Sequence, residues 1–419
     1  MRLLKMAGIL AAGIAAGTLG LFLVYLLPVQ HMQEDMRESL YGFMAEGENP
    51  FLIEDYKGSS LDNYTDAIML GSAVYESDMS FWQEAVRVPR AAGIEDAPME
   101  SLEHYLQGDE NDQETEYSRY WHGYLLLLKP LLLFLDYGQI RIVNGCVEVV
   151  LILLVLREFL KRGMKRGMVA YVLALLAMFP AVFPFSLQFS TVFYIGNIAL
   201  LLVLKNHEKW ERESKYIYFY QIVGMCTSYF DFLTYPLFTF GIPMVACLVL
   251  NRERNLKDRM KFLIESGLSW SAGYILMWMG KWTVGSAITG ENLWGNALGT
   301  VSERASSSSI GGGIGRILAV LRNGYIYFNE AGIIIALLLL LWIGICIWKY
   351  HKRISAADVW ILILTACIPL VWYLAAANHS YVHYWYTFRA LSVSVFALAM
   401  IPECVDKKTP EMGRTGNGV

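Results

Sequence analysis

The chain is short of charge. Only 17% of its 419 residues are Asp, Glu, Lys or Arg, against 55% hydrophobic, whereas soluble domains carry about 25% charged residues. With a mean hydropathy of +0.38, that deficit excludes a soluble enzyme, a disordered chain and a collagen-like fibre. Cysteine is scarce too. The six are Cys146, Cys226, Cys247, Cys346, Cys367 and Cys404. No CxxC or Cys/His ligand spacing occurs among them, so neither a disulfide framework nor a structural zinc site is expected. Bases are missing from one long stretch. Residues 28–118 hold 21 of the 38 acids and only Arg37, Lys57, Arg87 and Arg90, a net of −17, while the remainder carries 30 bases and 17 acids, a net of +13. Those bases lie in short clusters between apolar runs, a distribution that excludes a nucleic-acid binder.

What the chain has in abundance is apolar runs. A membrane-crossing helix needs about 20 apolar residues. Such runs lie near 7–27, 140–157, 168–184, 187–204, 216–234, 236–250, 262–279, 331–348, 357–377 and 390–402. The first follows Met1-Arg2-Leu3-Leu4-Lys5, and no small-residue cleavage site follows Leu26-Leu27-Pro28, so it reads as a retained first span. Residues 120–137 are apolar enough to cross as well. Lys129-Pro130 in their middle suits an interfacial or re-entrant helix instead. The positive-inside rule agrees. With 120–137 kept out of the count, the clusters Arg157–Arg166, Lys205–Lys215, Arg252–Lys261, Lys349–Arg353 and Lys407–Arg414 all fall on the side of the N-terminus.

The expected fold is therefore an all-α polytopic membrane protein of about ten transmembrane helices. Its divisions are a first helix (1–27), an extracytoplasmic loop with interfacial helices (28–139), helices two to seven (140–279), a flexible extracytoplasmic loop (280–330), helices eight to ten (331–402) and a cytoplasmic tail (403–419). Both termini are expected in the cytoplasm of a cell with the working face outside it.

The polar motifs of interest share that outer face. Asp62 and Asp66 flank Asn63-Tyr64-Thr65, four residues apart. On a helix they would share a side and raise each other's pKa, which suits a general base; an Asp N-cap with a second solvated Asp is the plainer alternative. His122 opens the interfacial segment within Tyr120-Trp121-His122-Gly123-Tyr124. Asp231 sits in the aromatic turn Phe230–Pro236, where an acid at the end of a span is a functional candidate. Arg304 lies in the Ser/Gly-rich 280–330 segment. His379, His383 and Arg389 belong to the dense cluster Asn378–Arg389, which lacks the carboxylate of a zinc motif and suits a phosphate group better.

The order of these features resembles the GT-C class of membrane glycosyltransferases, in particular the lipid-linked-sugar-dependent mannosyltransferase and aminoarabinose-transferase type. A first span leads to an outer loop, then to Trp121-His122-Gly123-Tyr124, the apolar Leu125–Leu135, the break Tyr137-Gly138, and a span from Ile140-Arg141-Ile142-Val143-Asn144 to Arg157–Arg162. The likeness covers about residues 1–165. Phe230–Pro236 and Asn378–Arg389 also resemble motifs of bacterial integral membrane proteins of no known activity.

The resemblance implies transfer of a sugar from a polyprenyl-phosphate donor to a glycan, lipid or protein acceptor outside the cytoplasm. It implies Asp62 or Asp66 as base, with Asn63, His122, Asp231, Arg304, His379, His383 and Arg389 binding sugar or phosphate. No cofactor is expected; a divalent cation is left open. A polysaccharide polymerase or ligase of the O-antigen type and a lipid or polysaccharide transporter are the competing readings.

Overall fold

The computed structural model describes residues 1–93, 97–108, 113–350 and 353–405. The cluster Lys407–Arg414 and most of the 403–419 tail lie outside the described residues. Six segments are long and apolar enough to cross a membrane: Arg2–Val24, Tyr137–Lys161, Leu187–Arg212, Ala331–Tyr350, Ala356–Ala375 and Tyr384–Cys404. Shorter or more polar helices pack among them, including Lys165–Ala177, Tyr216–Phe230, Leu237–Leu250 and the 34-residue Leu256–Thr289. The apolar run at 168–184 is not one helix. It stops at Ala177, and a 3-10 turn, Pro180–Phe185, follows, because prolines cannot donate to the preceding turn. The 120–137 segment holds only the seven-residue helix Leu125–Leu131, about 10 Å long and far too short to cross.

Ties between loops define the two ends of the bundle. Arg162 donates to Glu208 at 2.6 and 2.9 Å, Arg254 pairs with Glu211, Arg252 and Arg166 reach the carbonyls of Glu403 and Pro402, and Arg2 pairs with Glu265. Four of the five basic clusters are thereby traced to loops or helix ends on one side, Lys349 through Tyr350 beneath Arg166. The acidic segment occupies the other side.

That acidic segment folds. Helix Val29–Glu46 buries Met32, Met36, Leu40 and Phe43, a spacing of three to four residues that places all four on one face. They pack in a cluster with Leu70, Val74, Leu102 and Leu106 of helices Asn63–Val74 and Pro98–Gln107. A two-stranded antiparallel sheet, Pro89–Ala92 against Gln113–Glu116, departs from the all-α expectation. Two buried lysines from the bundle fasten the segment down. Lys129 Nζ donates to the Ala73 carbonyl and Lys281 Nζ to the Val86 carbonyl, each at 2.7 Å. Both carbonyls lie in the last turn of a helix, where unpaired acceptors and the negative end of the helix dipole favour a cation. The 280–330 segment, expected as a flexible loop, contains helices Leu293–Ala305 and Gly313–Tyr325.

Helices Tyr216–Phe230 and Leu256–Thr289 meet backbone to backbone. A Cβ on Gly224 would lie 2.1 Å from the Trp270 carbonyl oxygen, and one on Gly273 2.1 Å from that of Gln221. Backbone cannot rotate away as a side chain can, so Gly273→Val must push the helices apart. We expect a loss of about 1–3 kcal/mol, measurable as a lower midpoint of thermal unfolding in detergent; an unchanged midpoint would show that the contact is loose.

Candidate functional site

Asp62 stands just before helix Asn63–Val74, with non-helical backbone angles (φ −122°, ψ 63°). Its Oδ1 accepts the Thr65 amide at 3.1 Å, the usual N-cap bond. The plainer alternative for Asp62 is therefore realised, and the two acids do not share a helical face. Asp62 is 3% exposed. Burial pushes its carboxyl up to about 7, with Asp66 adding to the rise while Thr65 and the Arg389 guanidinium oppose it.

Asp66 has a different task. Its Oδ2 accepts from Tyr137 Oη at 2.6 Å and the Leu187 amide at 2.9 Å, and its Oδ1 accepts the Gln188 amide at 3.2 Å. It thus caps the start of helix Leu187–Arg212 from a distant part of the chain, where first-turn amides lack partners. Burial raises its pKa to about 6 against these three donors. Asp66→Asn sets an amide against one of them. It is expected to cost about 1.5–3 kcal/mol, the range for bonds to charged groups, read as a lower unfolding midpoint; a neutral effect would free Asp66 from the anchoring role.

Asn63 is likewise occupied. It donates to Glu46 and the Gly47 carbonyl and accepts from Arg141, which itself pairs with Glu46 at 2.7 Å. His122 is 2% exposed. Its Nε2 lies 2.7 Å from the Tyr117 carbonyl, so it donates there, and Nδ1 then accepts from Tyr124 Oη at 3.1 Å. Burial holds its pKa down at about 3, leaving a neutral ring with both nitrogens used. The next residue must be glycine, since a Cβ on Gly123 would meet the Tyr229 ring at 2.2 Å. Arg389 is fully buried, lying over Phe189 at 4.3 Å and donating to the Gly58 and Trp385 carbonyls. It holds the Lys57–Ser59 turn, and with it Asp62, against the Tyr384–Cys404 stretch. Asn63 and His122 thus have no open donor for a phosphate, and Arg389 keeps only its buried Nε free.

Tyr386 links the remaining residues. That ring lies within electrostatic reach of Arg304, Asp62, Tyr120 and Asp231, 6.1 Å from the His379 ring and 5.1 Å from that of His383. Asp231 ends helix Tyr216–Phe230 and accepts from the Thr234 amide and hydroxyl, the latter at 2.6 Å. Arg304, in the last turn of Leu293–Ala305, lies over the Tyr120 ring at 5.8 Å. No carboxylate pairs with it among the described residues, and its buried Nη1 has no partner.

His379 Nε2 lies 2.7 Å from the Leu233 carbonyl, so it donates there. Burial, with Arg304 and His383 adding, keeps the ring neutral, and burial holds His383 near 4. The unpartnered His379 Nδ1 therefore carries a lone pair. It suits a hydroxyl group and repels a phosphate oxygen, which reverses the polarity expected from sequence.

Two further groups face the same place. The Tyr274 hydroxyl, within reach of Asp231, Tyr120 and Arg304, and the Trp278 Nε1 are buried without partners, and Trp278 lies 5.1 Å from the Tyr120 ring. They belong to a stripe, Trp270, Tyr274, Trp278 and Trp282, whose successive rings are 5.1, 5.9 and 5.9 Å apart. Their spacing of four was a readable signal of one helix face.

The site thus combines a buried carboxyl poised near neutrality, one unpaired guanidinium, an imidazole acceptor and an aromatic wall with free hydrogen-bonding groups. On the apolar flank, a groove of 720 Å³ runs between Gly138–Val150 and Pro184-Phe185, with Arg141 at its wall. Among the described residues, no three of His, Cys, Asp and Glu gather as a metal site would need. Comparison with family models, curated proteins and solved structures finds no match to this chain.

Proposed function

We propose that the protein is an integral membrane glycosyltransferase of GT-C type that moves a sugar from a polyprenyl-phosphate donor to a glycan, lipid or protein acceptor. The observation that carries this reading is that the charges of Asp62, Arg304 and Asp231 all act on Tyr386, whose ring lies 6.1 Å from that of His379. Asp62 takes the proton of the acceptor hydroxyl. The resulting oxygen attacks the anomeric carbon, the bond from that carbon to the phosphate oxygen breaks, and the lipid phosphate leaves with its electron pair. Phosphate is a good leaving group, so the chemistry asks mainly for a base and for a cation where charge develops. Arg304 supplies the cation. His379 Nδ1 and Asp231 receive sugar hydroxyls, and Tyr120 and Trp278 provide apolar ring faces. The isoprenoid tail lies in the lateral groove beside Tyr137, whose hydroxyl holds Asp66.

On this reading the chain crosses the cytoplasmic membrane ten times, and both termini lie with the basic loops in the cytoplasm. A transporter reading has one observation in its favour. Glu148, inside the Tyr137–Lys161 helix, is 4% exposed with an unpartnered Oε1, and acids within spans often serve ion or proton pathways. Proteoliposomes loaded with polyprenyl-phosphate sugars separate the two. Transfer to an acceptor with release of lipid phosphate supports the transferase; movement of intact lipid-linked sugar without bond cleavage would overturn it.

A further inference from the structure

A cleft of 590 Å³ opens at the basic end, far from Asp62 and Arg304, where helices Arg2–Val24, Tyr216–Phe230 and Leu256–Thr289 begin. Its charged walls are nearly balanced. Glu211 pairs with Arg254, Glu265 with Arg2 at 3.6 Å and Lys261 at 4.0 Å, and Glu213 with Lys215 at 2.5 Å, while Asp258 accepts from Asn255. Lys5, also on the wall, has no ion pair among the described residues.

Two features beside Lys5 lack acceptors or donors of their own. Helix Tyr216–Phe230 has Lys215 at its N-cap position and no side-chain cap, and its first-turn residues Tyr216, Ile217 and Tyr218 line the cleft, which puts the positive end of the helix dipole there. Ser266 Oγ lines the same cleft, 1% exposed and without any partner. Leu3 and Leu4, 80% and 77% exposed, carry the rim onto the apolar flank of the first helix.

We infer that this cleft binds the headgroup phosphate of an anionic phospholipid from the leaflet at the basic end. One uncompensated lysine matches a singly charged phosphodiester. Uncapped amides and a hydroxyl donor complete its oxygens, and the acyl chains continue along Leu3 and Leu4. Basic recesses between helices at that depth are a known means of holding such headgroups. The inference is independent of the proposed transferase activity.

The test is thermal unfolding of the full-length protein in neutral detergent, titrated with phosphatidylglycerol, phosphatidylcholine or inorganic phosphate. Phosphatidylglycerol should raise the midpoint. A Lys5→Gln/Ser266→Ala protein should need about fivefold or more lipid for the same shift, since a lysine near a headgroup contributes about 1 kcal/mol. Lys257→Gln, at the same end but outside the cleft, should behave as the parent. Equal shifts with phosphatidylcholine, or a double variant that titrates like the parent, would overturn the site. Equal shifts with inorganic phosphate at the same concentration would overturn the lipid as its occupant.

Discussion

Asp62→Asn should lower sugar transfer by about 10²–10⁴-fold, the usual worth of a positioned general base, while the protein remains folded. The substitution separates the two tasks of this residue. Asn is as good an N-cap as Asp, so the Thr65 amide keeps its acceptor and the helix Asn63–Val74 keeps its start. What disappears is the ability to take a proton. The parent protein should show the matching pH profile. With the carboxyl raised to about 7 by burial, it is protonated and inactive as a base below that pH. The rate should climb as pH rises through 7 and level off above it. A profile set by Asp66 would rise near 6 instead, and its loss would come with a lowered unfolding midpoint.

Arg304→Gln should lower the turnover rate by about 10²–10³-fold, as removal of one group that stabilises developing charge commonly does. The unfolding midpoint should change little. The guanidinium has no carboxylate partner and an unpaired Nη1, so its loss strands no buried opposite charge, the usual source of a large penalty. Lysine at 304 should restore only part of the rate, because an ammonium cannot repeat the planar two-point contact with phosphate oxygens. The readout is the rate of lipid-phosphate release at saturating donor, alongside the melt. If Arg304→Gln unfolded the protein instead, its role would be to hold Tyr120 and the Leu293–Ala305 helix in place.

Much of the frame was legible from residue type and spacing. The split of charge marked the folded acidic segment and the opposite basic end. Lys129-Pro130 marked a segment too broken to cross, and Asp62 before Asn63–Val74 was readable as a helix start. The polarity of the site was not legible. Whether His379 presents a proton or a lone pair depends on the Leu233 carbonyl, 146 positions away in the chain. Asp66 reads as a free acid until the start of Leu187–Arg212 is seen against it. Arg389 and His122 look like anion binders in sequence, yet backbone carbonyls claim Nη1 and Nη2 of Arg389 and Nε2 of His122. Lys129 and Lys281 gave no sign of their helix-end contacts, since the carbonyls they reach belong to no motif. The Trp270–Trp282 stripe was present at helical spacing and needed only to be counted.

The most direct measurement is sugar transfer from a polyprenyl-phosphate donor by the purified protein in proteoliposomes, followed from about pH 5.5 to 8.5 for the parent and Asp62→Asn. The parent rate should rise through pH 7, and the Asp62→Asn rate should be lower by at least about a hundredfold across the range. A parent rate independent of pH, with Asp62→Asn equally active, would contradict Asp62 as the base.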